Sequence, residues 1–417
     1  MTNPNSSTIQ NMAEDRLLTA TAVLLGLLYF FIPAGRFEGT IFGISFSTGY
    51  DAFKMVPLPF AAWLSWRWKQ RRPLCPESKL MLPFVCLLMI SIVAGMGSPN
   101  GWQALADSLE ILFYLGFLIL LLDIPWTPRL LYLVAGGFVV GNLYLGSVVA
   151  QQYWSTRNAQ EIVRLSGTYD HPNPLGVYTI LGFTLLLWLS HTSKNKAFLF
   201  WTWIAAAALL FANLMTQSRT ALLALAAWGI TAAWIGSARM RKWICAFSVT
   251  ILLAMILLTP QSFVRLSRIG EEAPDPNRIN RPLIWQQYLT HELPGLSPFG
   301  VGMGPVATFR FGDWIGSHPI DSAISRAWGP HNTYLAWMLG AGLLGLFALV
   351  WLMKTAWDQI QRCEPFTRSV LSAGFVSFAV ACLFQDPFLH GNLPLAWITL
   401  AAIGDKFSCE NKAEASS

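Results

Sequence analysis

The sequence predicts an all-α integral membrane protein whose residues 1–417 form a single polytopic domain. Hydrophobic residues make up 54% of the chain and charged residues only 12%, whereas a soluble protein has about 25% charged residues. Apolar runs of about 20 residues, the length that crosses a bilayer core, recur along the chain. Lysine and arginine collect in short connections between these runs. The net charge of +6 is therefore typical of basic loops beside a lipid bilayer, and we expect no nucleic-acid partner.

The length rule predicts about twelve transmembrane helices. They lie near residues 17–35, 48–66, 78–96, 103–123, 129–151, 173–190, 197–216, 219–238, 243–260, 331–353, 368–385 and 391–405. The second and the last are the weakest, because the second carries Asp51 and Lys54 and the last is short and opens with Asn392 and Pro394. No small-residue cleavage site follows the first run, so we expect it to remain as a span.

Four basic connections predict the orientation. Each of them follows an even-numbered predicted span and has a basic stretch: residues 67–73, 191–196, 238–242 and 354–362. These connections are therefore predicted to be cytoplasmic, together with the N- and C-termini. The remaining connections then face the periplasm. The longest of them, 261–330, lies between the ninth and tenth spans, and long loops in compact domains are usually functional. We expect short amphipathic helices within it.

Two outward stretches combine an arginine with other polar groups near a span. Arg164 opens RLSGTYDHPNPLGVY (164–178), which also holds Tyr169 and His171, and Arg219 lies between two spans with almost no loop. A charge at membrane depth is costly and is a functional candidate, and the guanidinium suits phosphate or carboxylate. The alternatives are a proline-rich cap for the first stretch and simple snorkelling of Arg219 to the interface.

The long loop contains a second candidate anion site. Arg278 and Arg281 precede or open a short helix marked by Pro282, and Trp285 lies on that helix. A helix N-terminus offers free backbone N–H groups to an anion. The GVGMG segment that follows lacks a βαβ context, so we reject a dinucleotide site and expect its glycines to form tight turns.

His331 opens the apolar span 331–353, with Asn332 and Tyr334 close by. A neutral histidine accepts a proton from a hydroxyl, which makes His331 a candidate general base. The alternative is that His331 caps its own helix.

Metal chemistry is the main competing interpretation. The outward histidines have no i, i+4 or H-E-x-x-H spacing, and the first outer loop has no D-x-D pair. A metal site assembled from distant loops is the alternative that spacing leaves open, but we expect no metal cofactor.

Several segments together resemble the O-antigen ligase and polymerase superfamily. They are SGTYDHPNPLG (166–176), SRTALL (218–223), GVGMGPV (300–306) and HNTYLAWMLGAGLLG (331–345). The resemblance covers most of the chain from about residue 160 to 350. It implies a GT-C-type, metal-independent, inverting glycosyltransferase of the bacterial inner membrane that works on the periplasmic face. Its donor would be O-antigen linked to undecaprenyl pyrophosphate, and its acceptor a sugar hydroxyl of the lipid A–core oligosaccharide.

The resemblance also implies roles for the candidates. His331 would act as base, and Arg164, Arg219 and Arg281 would bind the pyrophosphate, whose growing charge needs neutralising. Further substrate-binding candidates are Arg278, His171, Tyr169, Trp285, Asn332 and Tyr334. We favour a ligase because the chain has no large added outer domain and the long outer loop resembles the ligase arrangement. An O-antigen polymerase is the nearest alternative. A lipid or solute transporter is the alternative from another class, and it would predict mid-membrane charges and internal repeats.

Overall fold

The computed structural model describes most of the chain. The described ranges are residues 4–34, 37–41, 44–48, 52–70, 78–98, 101–157, 164–169, 171–238, 241–242, 285–286, 288–292, 297–303, 330–387 and 392–416. The α-helices in these ranges are α1 (Pro4–Ala34), α2 (Pro57–Gln70), α3 (Met81–Met96), α4 (Gly101–Asp123), α5 (Pro128–Thr156), α6 (Pro172–Thr192), α7 (Lys196–Met215), α8 (Arg219–Ile235), α9 (Thr333–Ile360), α10 (Pro365–Cys382) and α11 (Leu393–Ser416). The described residues also form a 3-10 turn at Ala52–Met55 and a π-helical turn at Tyr288–Glu292.

Seven of the described helices are long and apolar enough to cross a membrane. They are α4 from Ala104, all of α5, α6, α7, α9 and α10, and the part of α1 from Arg16 to Pro33. The helices α3 and α8 are apolar but shorter. These helices indicate a multi-pass membrane protein. Since the predicted ninth span, 243–260, lies outside the described residues, the expectation of about twelve spans stays a prediction, as does the single-domain arrangement with its 261–330 loop.

The second predicted span, 48–66, is wrong in its position. An antiparallel hairpin of β1 (Phe37–Ile41) and β2 (Ile44–Thr48) pairs Phe37 with Thr48, and α2 begins only at Pro57. The two strands read FEGTI and ISFST, an alternation of apolar and polar residues that favours strand over helix. Proline suits the first turn of a helix, so the start of α2 follows from Pro57.

Arg67 was expected in a basic loop, but it lies on α2 and is buried. Its Nη2 donates to Asp123 Oδ1 at the end of α4, and the Trp63 indole N–H donates to Asp123 Oδ2 at 2.8 Å. A buried charge is tolerated when it is paired and hydrogen-bonded. The pair therefore joins α2 to α4.

Small residues bring the long helices together. A Cβ added at Gly137 of α5 would lie 1.9 Å from the carbonyl oxygen of Gly26 in α1, and one at Gly146 would lie 2.6 Å from the Ala208 Cβ of α7. Without a water-driven hydrophobic force inside a bilayer, such close backbone approach is a main source of helix–helix stability. Two buried polar side chains are linked within this core: Tyr178 donates to Asn142 at 2.9 Å, and Asn142 donates to the Phe138 carbonyl at 2.8 Å.

The helix α9 is broken about one third of the way along, at Gly342, and a loop segment packs into the break. Gly342 has φ 70° and ψ −171°, values that are essentially restricted to glycine. The backbone N–H groups of Val301 and Gly302 donate to the carbonyls of Leu339 and Gly340, each at 2.9 Å. The segment 297–303 thus replaces hydrogen bonds that the interrupted helix cannot make for itself.

Candidate active site

Arg164 is held by the turn between α7 and α8. Its Nε donates to the Thr216 carbonyl at 3.2 Å, and its Nη2 donates to Asn173 Oδ1 at 2.7 Å. The backbone N–H of Leu165 donates to the Met215 carbonyl at 3.1 Å. These bonds fix the guanidinium at the start of α6, partly buried and next to the α7–α8 turn.

Asn173 connects this arginine to the start of α8. Besides accepting from Arg164, its Oδ1 accepts from the Ser218 hydroxyl at 2.8 Å. Ser218 is also the N-cap of α8, because its oxygen accepts the Ala221 N–H. Arg219, the next residue, begins α8 and is partly buried. The Asn173 amide therefore links the Arg164 guanidinium to Ser218, the residue directly before Arg219.

His331 lies immediately before α9 in a left-handed backbone conformation, with φ 47°. The structure corrects the alternative that His331 caps this helix: Asn332 is the N-cap, and its side chain accepts the Leu335 N–H at 3.1 Å. His331 is half-buried. Trp285 of the long loop donates its indole N–H to the Pro330 carbonyl at 2.8 Å, so the structure brings Trp285 to the residue next to His331.

The connection after α10 holds the other side of the His331 turn. The backbone N–H and the hydroxyl of Thr333 both donate to the Gln385 carbonyl, at 3.0 and 2.9 Å. The Asn332 amide donates to the Leu383 carbonyl at 3.1 Å. Asp386 follows in this segment and is only 5% exposed. A buried carboxyl at the end of a membrane helix is a functional candidate by the same reasoning as Arg219.

Sequence reasoning missed both Asn173 as a link and Asp386 as a candidate. The signal for Asp386 was present, since FQDP (384–387) puts a carboxylate and an amide between two apolar runs. The signal for Asn173 was not, because its partners lie 9 and 45 residues away.

Helix packing brings the Arg219 and His331 regions to one end of the bundle. The helices α8 and α10 run antiparallel, and the Ser369 hydroxyl donates to the Ala232 carbonyl at 3.3 Å. Counting 13 residues along each helix from this contact leads from Ala232 back to Arg219 and from Ser369 forward to Cys382. Arg219 therefore lies level with Cys382, directly before the segment that binds Asn332 and Thr333. We call this end of the bundle, with Arg164, Arg219 and His331, the site end.

Three other candidates have structural contacts at the site end. Tyr169 is 3% exposed, donates its hydroxyl to the Ile32 carbonyl at 3.1 Å and stacks on Tyr178. Tyr169 is thus part of the helix packing, and its role in substrate binding stays a prediction. The Tyr334 hydroxyl donates to the Ala379 carbonyl at 3.3 Å, toward α10. His171 is exposed and caps α6, because its Nδ1 accepts the Asn173 N–H at 3.2 Å.

The remaining expectations concern residues and groups that the structure does not test. Arg278 and Arg281 lie outside the described residues. Within the described part of the chain, no three His, Cys, Asp or Glu side chains come together in a way that would hold a metal ion. Metal independence stays a prediction.

Comparison with known proteins gives one family match. The family model described as O-antigen ligase matches residues 204–350, which is less than half of the chain. Comparison with curated proteins finds no match. The matched stretch contains Arg219, Trp285, His331 and Tyr334, whereas Arg164 and Asn173 lie before it. This match supports membership of the chain in the O-antigen ligase and polymerase superfamily.

Proposed function

We propose that the protein is an O-antigen ligase of the bacterial inner membrane. It transfers O-antigen from undecaprenyl pyrophosphate to a sugar hydroxyl of the lipid A–core oligosaccharide on the periplasmic face. The observation that carries the proposal is backbone strain: the two described non-glycine residues with positive φ are Gln217 and His331. Both lie at the site end: Gln217 is two residues before Arg219, and His331 is the candidate base itself. Strained conformations persist where the surrounding structure holds them, and they cluster at active sites.

His331 acts as the general base in this mechanism. Its neutral imidazole accepts the proton of the acceptor hydroxyl while that oxygen bonds to the anomeric carbon of the donor glycan. The bond between the anomeric carbon and the pyrophosphate oxygen breaks at the same time, and undecaprenyl pyrophosphate leaves with the electron pair. Attack opposite to the leaving group inverts the anomeric centre. General-base catalysis of this kind is worth about 10²–10⁴-fold in rate.

Arginines neutralise the leaving pyrophosphate. Arg164 is oriented by its hydrogen bonds to Asn173 and Thr216, so its positive charge is fixed before the substrate binds, and preorganised charge is usually a large contribution to transition-state stabilisation. Arg219, which begins α8 next to Ser218, supplies the second charge. Arg281 is the third expected member, and Arg278 is a further one. Because arginines supply this charge, the reaction needs no divalent cation.

Reconstitution of the purified protein tests the proposal. Lipid-linked O-antigen and lipid A–core are incubated with wild-type protein in EDTA, and slower gel migration of the acceptor reports transfer. His331→Asn is the informative variant, because asparagine tolerates the left-handed region but supplies no base. We expect its transfer rate to fall by about 10²-fold or more. His191→Ala changes an exposed histidine at the other end of α6 and should keep wild-type activity.

The outcomes separate the alternatives. Lengthening of the carrier-linked glycan without transfer to lipid A–core would make the protein a polymerase. Transfer that stops in EDTA and returns with a divalent cation would contradict the metal-independent mechanism. Wild-type activity of His331→Asn would remove His331 as the base, and Asp386 would then be the next residue to test.

A further inference from the structure

A cavity of about 290 Å³ lies at the opposite end of the bundle from the site. It is bounded by α1, α4, α5, α6 and α11. Its wall is mostly apolar, with Leu121, Leu131, Val134, Leu189 and Ile403 among the lining residues. Leu189 lies near the end of α6 and Leu131 near the beginning of α5, which places the cavity away from Arg164 and His331.

The polar groups of the cavity are unevenly distributed. Deep in the wall, the hydroxyls of Tyr29 and Thr399 bond to each other at 2.7 Å, so an apolar chain placed there would leave neither without a partner. Lys406 and Trp126 lie at the other side. The Lys406 amine donates to the Ile124 carbonyl at 2.6 Å and lies 5.8 Å from the Trp126 ring centroid. The cavity therefore has an apolar interior and a cation beside an indole at its edge.

Other cations lie at the same end of the bundle. Arg129 is exposed at the start of α5, and Lys194 and Lys196 are exposed where α6 meets α7. Three acidic side chains at this end already have cationic or ionisable neighbours. Asp123 pairs with Arg67, Glu364 contacts His191, and the buried Asp405, next to Lys406 in the chain, interacts with Lys79 and Arg362. The charge at this end therefore suits an anion.

A buried donor lies in the same wall. Trp188 lines the cavity, is 5% exposed and packs against Phe407 with ring centroids 5.5 Å apart. Its indole Nε1 is buried, and the described residues offer it no hydrogen-bond acceptor. Leaving such a donor without an acceptor costs about 1–3 kcal/mol. Because the Nε1 atom is itself inaccessible, a ligand in the cavity would pack against the Trp188 ring and not bond to its N–H.

We propose that this cavity binds one acyl chain of an anionic membrane phospholipid. The chain occupies the apolar interior and packs against the Trp188 ring, and the phosphate lies beside Lys406 and Trp126. Basic pockets between membrane helices are known binding places for anionic headgroups. The volume lies near the lower end of the about 300–1,000 Å³ that small-molecule sites have, which fits part of one hydrocarbon chain better than a long branched polyprenyl chain. The site does not depend on glycosyl transfer.

Native mass spectrometry of the full chain in detergent tests this proposal. The protein is titrated separately with phosphatidylglycerol, phosphatidylcholine and a polyprenyl phosphate. One lysine near a headgroup is worth about a fivefold preference for an anionic lipid, so the first bound phosphatidylglycerol should be retained about fivefold more strongly than phosphatidylcholine. Lys406→Gln should lose this preference and Lys406→Arg should keep it. Lys354→Gln, which removes an exposed lysine that pairs with Asp358 on α9, is the matched control and should behave like wild type.

A second variant tests the cavity independently of the charge. Ala402 lines the cavity and is 4% exposed, so Ala402→Leu fills part of the space and should weaken retention of both phospholipids. Retention of phosphatidylglycerol by Lys406→Gln and Ala402→Leu at wild-type strength would overturn the proposal. Stronger, Lys406-dependent retention of the polyprenyl phosphate would overturn the choice of a phospholipid.

Discussion

Gly342→Ala should destabilise the protein strongly, because the break in α9 requires both the conformation and the small size of glycine. The added Cβ would lie 1.9 Å from the Pro298 carbonyl oxygen and 2.7 Å from the Gly300 nitrogen. Segment 297–303 would have to move away, and the hydrogen bonds from Val301 and Gly302 to α9 would be lost.

The magnitude follows from these contacts. Two backbone hydrogen bonds contribute about 0.5–1.5 kcal/mol each, and forcing alanine into this backbone region costs about 1–3 kcal/mol. The sum is about 2–6 kcal/mol, a large share of the about 5–15 kcal/mol that stabilises a typical folded protein. His331 lies two residues before α9, so glycosyl transfer should fall as well.

Thermal unfolding in detergent, followed by the fluorescence of the 19 tryptophans, measures the effect. Gly229→Ala is the matched control, because Gly229 lies in α8 and an added Cβ meets nothing within 4 Å. Alanine in that helix should be neutral or stabilising by up to about 1 kcal/mol. If Gly342→Ala melts at the same temperature as Gly229→Ala and keeps full activity, the role given to the loop in completing α9 is wrong.

Three further predictions concern other contacts. Asn173→Ala removes the shared acceptor of Arg164 and Ser218, so transfer should fall about tenfold or more with little loss of folded protein. The control Asn195→Ala removes an N-cap at the other end of the bundle and should lower Tm but spare activity. Equal losses of activity in the two variants would contradict this prediction. Arg67→Met leaves the buried Asp123 carboxylate without its cation and should cost about 3–5 kcal/mol, and Asp123→Asn added to it should recover part of that loss of Tm. Burial raises the pKa of Glu364, but hydrogen bonds from Thr367 and Phe366 outweigh it and hold the pKa below its ordinary value. The stabilisation by the Glu364 carboxylate is therefore present at neutral pH and is lost as pH falls through the lowered pKa. The fall in Tm on the acid side should accordingly be shallower in Glu364→Gln than in wild type.

Local signals in the sequence predicted many helix starts, since a cap and an apolar run lie next to each other in the chain. The predicted starts near 173 and 219 lie within one residue of the observed starts at Pro172 and Arg219. The second span, 48–66, was placed too early: the described residues before Pro57 form a 3-10 turn at Ala52–Met55, and the α-helix begins only at Pro57.

In the candidate site, too, the local features were predictable from the sequence and the long-range contacts were not. His331 was recognisable as a polar residue beside an apolar run, and the glycines near residue 300 were recognisable as turn formers; Gly300 and Gly302 do have positive φ. The partners that hold the site were not predictable, because Thr333 binds Gln385 from 52 residues away. Periodicity and spacing describe one segment at a time, and contacts of this kind appear only when segments are packed.

The completion of α9 by segment 297–303 also bears on how the chain is assembled in the membrane. Gly342 lies about 14 Å into a helix with a rise of 1.5 Å per residue, which is a depth where lipid offers no hydrogen bonds to open backbone groups. The segment that satisfies them precedes α9 in the sequence, so it is synthesised first and is available when α9 inserts. Biogenesis of this helix is therefore a joint event, in which a short stretch of loop enters the bundle together with the span that it completes.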